Sequence, residues 1–406
     1  MRIVMLHPDV CVCAGNTRLM FEMADLLKGL GHRVTIVGRH GRESKMKVTT
    51  TMPFKFCPKC KSSHPKKLTL CPKCGSSLTD QSGFTFKEGM FKKHYDIQDF
   101  AKYHPVKNIS LDDILLESIP VSHPFFYFPA RAEKLIYKAD IVFTDAEIYV
   151  KLPERIAGIE EKQLQYVHFP PDLLKPVPQH APRAVWCNSF FTQKYVKTIW
   201  GLDAEVVYPP IHCDLYESSN GFEDRDYDVV MLGRLHPDKY ASVLPALKEF
   251  KLAVVGSAYG YEKDLPNFVT LYKDATWQEV VNVLSRSKVY VHAKGFGEYE
   301  ENTKSLPEHF GQTIVEAMAS GCVPVVPPVG GPMEIVGEDE QYGFWFKDTD
   351  DLTRTIKLIL DDRQFWSECS RAAVKRAHVF DTSVISKRVE TLLQRFTEPD
   401  RSTRVI

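Results

Sequence analysis

Short apolar runs in this chain alternate with segments whose apolar residues recur every three or four positions. RIVMLH (2–7) reads as a buried strand. After the turn PDVCVCAGN, the segment TRLMFEMADLLKGLG sets Leu19, Met20, Met23, Leu26, Leu27 and Leu30 at helical spacing, and Gly31 ends it. HRVTIVGR supplies a second strand. Strand, helix and strand in this order predict a parallel βαβ opening, with ligands expected beyond the carboxyl ends of the strands. The rhythm is absent from residues 40–125. It returns in ARAEKLIYK, ADIVFTDAEIY (139–149), QLQYVHFPPDL (163–173), RAVWCNSFFTQKYVKTIWG and AEVVYPPIHCDLY. Tyr208-Pro209-Pro210 is a stiff exit suited to a linker, and the polar stretch SSNGFEDRD places a boundary near residue 220.

A second series begins with the strand DYDVVMLGRL (226–235). A helix over 238–249 and the strands KLAVVG and NFVTLY follow. Thr276 and Glu279 form a capping box for a helix reaching Ser287. KVYVHAK is a strand, GQTIVEAMASG a helix closed by Gly321, and CVPVVPP a strand. Gly330-Gly331-Pro332 turns into MEIV, and amphipathic helix dominates from Asp350 onward. The expected fold is α/β: two Rossmann-like doubly wound domains facing a cleft, over residues 1–220 and 221–380. Residues 381–406 are expected to form a helix packing back on the first domain.

Composition changes this picture little. The 406 residues exceed one typical core, and 44% hydrophobic with 26% charged residues is ordinary for a soluble protein. Lys plus Arg equals Asp plus Glu at 52 each, so no global charge advertises nucleic acid or an anionic membrane. No apolar run approaches the roughly 20 residues that span a bilayer. MRIVMLHP passes straight into a strand pattern without a signal-peptide core, so a cytoplasmic chain is expected.

The cysteines are more informative. CPKC at 57–60 and CPKCG at 71–75 are two knuckles at C-x2-C spacing. Cys57, Cys60, Cys71 and Cys74 can complete a tetrahedral S4 zinc site, with redox pairs or disulfides as the alternative. Four thiolates leave no open coordination position, so the zinc is expected to be structural and to fasten an inserted ribbon at about 53–80. Lys59, Lys61, Lys66, Lys67 and Lys73 surround the knuckles. They read first as a solvated surface, and second as a contact for phosphate backbone or acidic lipid. Cys11, Cys13, Cys187, Cys213, Cys322 and Cys369 read as scattered reduced thiols, mostly buried.

Candidate chemistry gathers at strand ends of the second series. Gly233-Arg234-Leu235, with Lys239 beyond, brings two cations to a strand exit and forms a pyrophosphate receiver. Glu308 lies in a loop, Phe310 and Gly311 offer backbone amides at a helix start, and Glu316 lies about one turn inside. Each carboxylate can pair with two vicinal hydroxyls, so the two can grip a sugar and a ribose at opposite ends of a diphosphate. Gly330-Gly331 brings a further backbone turn close to the donor. In the first series, Ala14-Gly15-Asn16 presents backbone N–H groups at a helix start. It lacks G-x-G-x-x-G spacing, which argues against a dehydrogenase.

EHFGQTIVEAMASGCVPVV resembles the E-x7-E signature of retaining family-4 glycosyltransferases of the GT-B fold. GRLHPDK resembles that family's G-R-L-x-x-x-K-G segment, with Tyr240 where Gly is usual, and WCNSFFTQKYV resembles its N-S-x-F-T segment. YVHFPPDL and VVYPPIHCDLY look most like cytosolic mannosyltransferases that extend lipid-linked oligosaccharides. The resemblance covers the chain outside residues 40–125. It implies a nucleotide-sugar donor, GDP-mannose favoured and a UDP-sugar as alternative, and a glycan or lipid-linked acceptor. Arg234 and Lys239 would neutralise the pyrophosphate, Glu316 would hold the ribose and Glu308 the transferred sugar. Phe310, Gly311 and Gln312 would present amides. His168 would meet sugar or acceptor from the first domain, and Gly15 and Asn16 would line the phosphate or acceptor side. Ala14-Gly15 departs from the family's Gly-Gly. With those cations in place, no catalytic divalent metal is expected. Peripheral contact with the cytoplasmic membrane face fits a lipid-linked acceptor. Two other readings stand beside this one: an RNA- or protein-binding zinc module on a non-catalytic GT-B body, and a nucleotide-sugar 2-epimerase.

Overall fold

A computed structural model describes residues 1–7, 10, 15–39, 54–57, 62–65, 76–77, 79–80, 97–117, 130–145, 152, 156–171, 178, 180–240, 242–257, 263–296, 307–337 and 339–397. The chain divides into two compact units, one of residues 1–40 with 92–406 and one of residues 41–91.

In chain order the larger unit begins with β1 (Arg2–His7), α1 (Gly15–Gly29) and β2 (Arg33–Arg39). The smaller unit holds β3 (Phe54–Cys57), β4 (Ser62–Pro65) and β5 (Thr79–Asp80), an antiparallel sheet in which β3 pairs with both others and Cys57 stands opposite Ser62. Cys60, Cys71, Cys74 and the side chain of Cys57 lie outside the described residues, so the expected zinc knuckles do too.

The larger unit resumes with α2 (Phe100–Tyr103), β6 (Ile114–Glu117), α3 (Ala130–Lys138), β7 (Ile141–Thr144), β8 (Gln163–Val167), β9 (Ala184–Cys187), α4 (Phe190–Tyr195) and β10 (Glu205–Val206). The first sheet runs β10-β9-β8-β7-β1-β2-β6, all parallel. Its central strands are buried along nearly their whole length, because helices cover both faces of a parallel sheet. That is why these strands read as continuous apolar runs.

The second lobe contains β11 (Tyr227–Leu232), α5 (Pro237–Tyr240), β12 (Leu252–Gly256), β13 (Val269–Lys273), α6 (Trp277–Ser285), β14 (Ser287–Val291), α7 (Gln312–Ala319), β15 (Val323–Val326), α8 (Gly331–Val336) and β16 (Phe344–Trp345). Then come α9 (Thr349–Asp361), α10 (Arg363–Ala377) and α11 (Thr382–Thr397). Its sheet runs β13-β12-β11-β14-β15-β16, again all parallel. These are two Rossmann-like doubly wound sheets.

The expected helix over 238–249 is corrected. α5 stops at Tyr240, and a separate 3-10 turn spans Leu244–Leu247 with Pro245 in its first turn. Proline has no N–H for the i−4 carbonyl and its ring collides there, so one continuous helix cannot form. The capping box at Thr276 and Glu279 is present.

α9 and α10 bury Leu352, Ile356, Ile359, Trp366 and Ala373 in the second lobe's cores. α11 instead places Ile385, Val389, Leu392, Leu393 and Phe396 in the core of the first sheet, beside Leu19 and Met23 of α1. Cys187, Cys213 and Cys322 are free and buried and Cys369 is half-buried, while Cys11 and Cys13 lie outside the described residues. Among the described residues no helix is long and apolar enough to cross a membrane.

Candidate active site in the cleft

The loop before α7 is shaped by glycines. Gly311 caps α7 at φ +111°, a conformation that strains any side chain, and a Cβ there would stand 2.6 Å from Ile314 Cδ1. Gly331 packs its backbone against the same loop. A Cβ at Gly331 would lie 2.3 Å from the His309 oxygen, and its N–H donates to the Glu308 oxygen at 2.9 Å. The paired glycines thus brace the loop that carries Glu308.

The Glu308 side chain meets two basic groups. Lys239 Nζ donates to Glu308 Oε2 at 2.6 Å, and His292 Nε2 stands 3.5 Å from the same oxygen. Burial opposes ionisation of Glu308, but Lys239 outweighs it and holds the carboxyl well below its usual range. Burial and then Lys239 push His292 down to about 3, so its imidazole is neutral. The Tyr290 hydroxyl lies 3.3 Å from His292 Nδ1 and 2.7 Å from Thr313 Oγ1. The sequence pattern did not single out His292. Its signal was a histidine one residue past a buried strand, at the carboxyl end where ligands bind.

A second charged centre crosses the cleft. Arg18 of α1 donates from Nε to Glu22 Oε1 at 2.7 Å and from Nη2 to the Tyr216 hydroxyl at 2.9 Å, and it pairs with Glu316 of α7. Gln312 Nε2 donates to the other oxygen of Glu22 at 3.2 Å. Glu22, Tyr216 and Glu316 are fully buried. Burial raises Glu22 to about 7 against the pull of Arg18, and raises Glu316 against the pull of Arg18 and a Tyr216 hydrogen bond. One guanidinium therefore serves two buried acids. Neither Arg18 nor Glu22 was expected from sequence. The available signal was a cation and an acid four apart in a helix whose other buried positions are mostly apolar.

A third group lines three neighbouring strand ends of the first lobe, in the sheet order β8-β7-β1. Asp145, just after β7, accepts from His7 Nδ1 at 2.5 Å and faces His168 Nε2 at 3.3 Å through the same oxygen. His7 Nε2 lies 3.1 Å from Thr17 Oγ1. Burial opposes ionisation of Asp145, but His7 and His168 hold its carboxyl below the usual range. Asn188 Nδ2 donates to the His168 carbonyl at 2.9 Å. Within this group only His168 was expected from sequence.

One cavity of about 270 Å³ brings several expected residues together: Gly15, Gly233, Arg234, Gln312 and Glu316 all line it, with Arg18. Lys239 runs alongside, since a Cβ on Gly233 would stand 3.6 Å from Lys239 Cδ. Gly15 and Gln312 meet across the lobes, a Gly15 Cβ falling 3.4 Å from Gln312 Oε1. Asn16 is half-buried in the first turn of α1 and is not among the cavity's lining residues. The Phe310 side chain points into the core, 5.4 Å from the Tyr208 ring, which leaves its backbone for any ligand. The lobes also touch at α4. Its first two N–H groups, of Phe190 and Phe191, donate to Glu334 of α8 at 3.0 and 2.7 Å.

Residues 214–376 match the family model described as Glycosyl transferases group 1, which covers the second lobe and its cluster of candidate residues. The chain is 26% identical over 216 residues to the GDP-Man:Man(3)GlcNAc(2)-PP-Dol alpha-1,2-mannosyltransferase of Candida albicans, covering 40% of this chain and 33% of that protein. It is 24% identical over 203 residues to the enzyme of the same name from Eremothecium gossypii, covering 40% and 34%. The match thus spans about a third of these relatives' length. Among solved structures, Anabaena HepE in complex with UDP-glucose superposes with a TM-score of 0.62 at 17% identity, covering 97% of this chain and all of that one. A glycosyltransferase from Rickettsia africae also scores 0.62, at 14% identity, with 98% and 99% covered. These likenesses and the two parallel sheets identify the fold as GT-B.

Proposed function

We propose that this chain is a glycosyltransferase that moves a hexose from a nucleoside-diphosphate sugar to a hydroxyl acceptor, with retention of anomeric configuration. The observation that carries this reading is the convergence of Arg234, Glu316, Gln312 and Gly233 on one cavity beside the Lys239–Glu308 pair. The group 1 match over that lobe and the UDP-glucose bound in the HepE structure support a nucleotide-sugar donor. Mannose from GDP-mannose is the favoured donor, on the likeness to the mannosyltransferases. A glycan on a lipid pyrophosphate is the favoured acceptor on the same ground, with the chain in the cytoplasm and in peripheral contact with the membrane face.

The leaving group is already activated, so the main rate contribution is stabilisation of charge on the departing diphosphate. Arg234, Lys239 and the amides of Gly311 and Gln312 supply it. Glu316 holds the ribose hydroxyls, and Glu308, kept ionised by Lys239, holds hydroxyls of the transferred sugar. Glu308 is a binder in this scheme, not a glycosidase-type nucleophile. The departing phosphate takes the acceptor proton. His168, oriented by Asp145, faces sugar or acceptor from the first lobe.

The four knuckle cysteines hold one structural zinc in this reading, a donor set suited to S4 coordination. Metal analysis should find one zinc per chain in the wild type and none in Cys71→Ser/Cys74→Ser. Equal zinc in both would overturn the assignment. The enzymatic reading is tested by transfer from GDP-mannose and UDP-sugars to a polyprenyl-pyrophosphate glycan. Glu308→Ala and Arg234→Ala should each lower transfer by about 100- to 1,000-fold. Full transfer rates in both variants would remove these residues from the site.

A further inference from the structure

Arg18 belongs to the first lobe, lies outside the matched family segment 214–376, and still reaches the carboxylate assigned to the donor ribose. We propose that Arg18 is a positioning residue for donor recognition: it holds Glu316 in the orientation that reads the ribose hydroxyls, so the first lobe completes the ribose site. The proposal rests on the donor role given to Glu316 above.

The geometry supplies three supports. First, Arg18 is itself fixed on two further sides, by Glu22 one turn along α1 at 2.7 Å and by the Tyr216 hydroxyl at 2.9 Å. A planar guanidinium tied by two partners is a rigid support for a third. Second, the contact has two points. Glu22 takes Gln312 while Arg18 takes Glu316, and these partners stand four residues apart on α7. Two parallel contacts between α1 and α7 set the rotation of α7 about its axis, and with it the direction in which Glu316 points. Third, Arg18, Gln312 and Glu316 all line the same cavity as Arg234. A carboxylate meets a vicinal diol through two hydrogen bonds of defined direction, so a turn of the carboxylate weakens both. A buried carboxylate without its cation also takes up a proton and loses one acceptor face.

Binding of GDP and UDP, each compared with its 2′,3′-dideoxy form, isolates the ribose contact from the phosphate and base contacts. Calorimetry on the wild-type chain should give about tenfold or greater preference for the hydroxylated form of whichever nucleotide binds, as expected for hydrogen bonds to a charged group. Glu316→Gln should lower that preference strongly. Arg18→Gln should lower it to a similar extent although Arg18 is not itself the ribose partner, and Arg18→Lys, which keeps the charge, should restore part of it. Glu22→Gln, which loosens one tether only, gives a smaller loss and covers the case in which Arg18→Gln fails to fold. An unchanged preference in Arg18→Gln, with both nucleotides weakened alike, would make Arg18 a phosphate ligand and overturn the proposal. A rise in preference would make Arg18 a competitor of the ribose and overturn it as well. A wild type that does not discriminate between the two forms removes the ribose role of Glu316, and the proposal with it. In that case transfer activity lost in Glu308→Ala still leaves the enzymatic reading standing.

Discussion

Two acidic centres, one partly and one fully buried, face the same cleft and solve the problem of a carboxylate withdrawn from water in different ways. Glu308 is one acid between Lys239 and a neutral imidazole, and it is held ionised well below its usual range. Glu22 and Glu316 are two acids on one guanidinium, and both are shifted upward. Burial opposes ionisation in both places but to different degrees: the Glu308 side chain is 24% exposed, whereas those of Glu22 and Glu316 are fully buried. The number of cations per carboxylate differs as well, since a second buried anion adds repulsion as well as its own desolvation. One centre therefore presents a permanent anion, while the other can hold a proton near neutrality.

Removing the cation from the one-to-one centre should have the largest effect. Lys239→Met leaves Glu308 without its nearest counter-charge and should cut transfer by about 100- to 1,000-fold, measured as kcat/KM for the donor. Retained activity would show that neither Glu308 nor the departing diphosphate needs Lys239.

Removing the surplus acid from the two-to-one centre should have a smaller effect of opposite sign. The folded-state value of Glu22, about 7, lies above the usual 4.5, so the native state binds more protons than the unfolded chain between those values. Stability from this group is therefore present at low pH and is lost as pH rises towards 7, by up to about 3 kcal/mol. Urea unfolding should find Glu22→Gln more stable than wild type at pH 8 and little changed at pH 4.5. Glu308 contributes with the opposite slope, its stability being present above the usual carboxylate range and lost as pH falls below it. A Glu22→Gln gain that is equal at both pH values would contradict the shared-cation account.

Gly331→Ala probes the brace of the first centre. A new Cβ 2.3 Å from a backbone oxygen forces the Glu308 loop to move, at about 1–3 kcal/mol in thermal unfolding and with a loss of transfer. Unchanged activity would mean that the loop tolerates displacement. The smallest effect belongs to an exposed pair that neither centre uses. Asp140→Asn removes the partner of Arg2, with side chains 42% and 56% exposed, and should cost under about 1 kcal/mol. A larger loss would undo the contrast between solvated and buried charge.

Much of the fold was legible because parallel strands covered on both faces must be apolar throughout, as in RIVMLH, LAVVG and VPVV. The glycines of the acid loop were legible as turns, but their packing against Glu308 and His309 was not, because it joins segments about twenty residues apart. The helix expected over 238–249 failed at Pro245, a local signal that the expectation passed over.

The candidate site divides along the same line. Arg234, Lys239, Glu308 and Glu316 stood out because they cluster within recognisable short segments at strand ends. Arg18, Glu22, His7, Asp145 and His292 did not. Each acts through a partner or a pocket that folding assembles: Arg18 meets Glu316 from the opposite lobe, and His7 meets Asp145 across 138 positions of sequence. By itself the sequence determined most of the parallel strands of both sheets, and which residue types were candidates for a diphosphate and hydroxyls. The tertiary structure alone decided how many cations each buried acid shares. That number depends on distance in space, and together with how far each acid is withdrawn from water it governs which acids keep their charge.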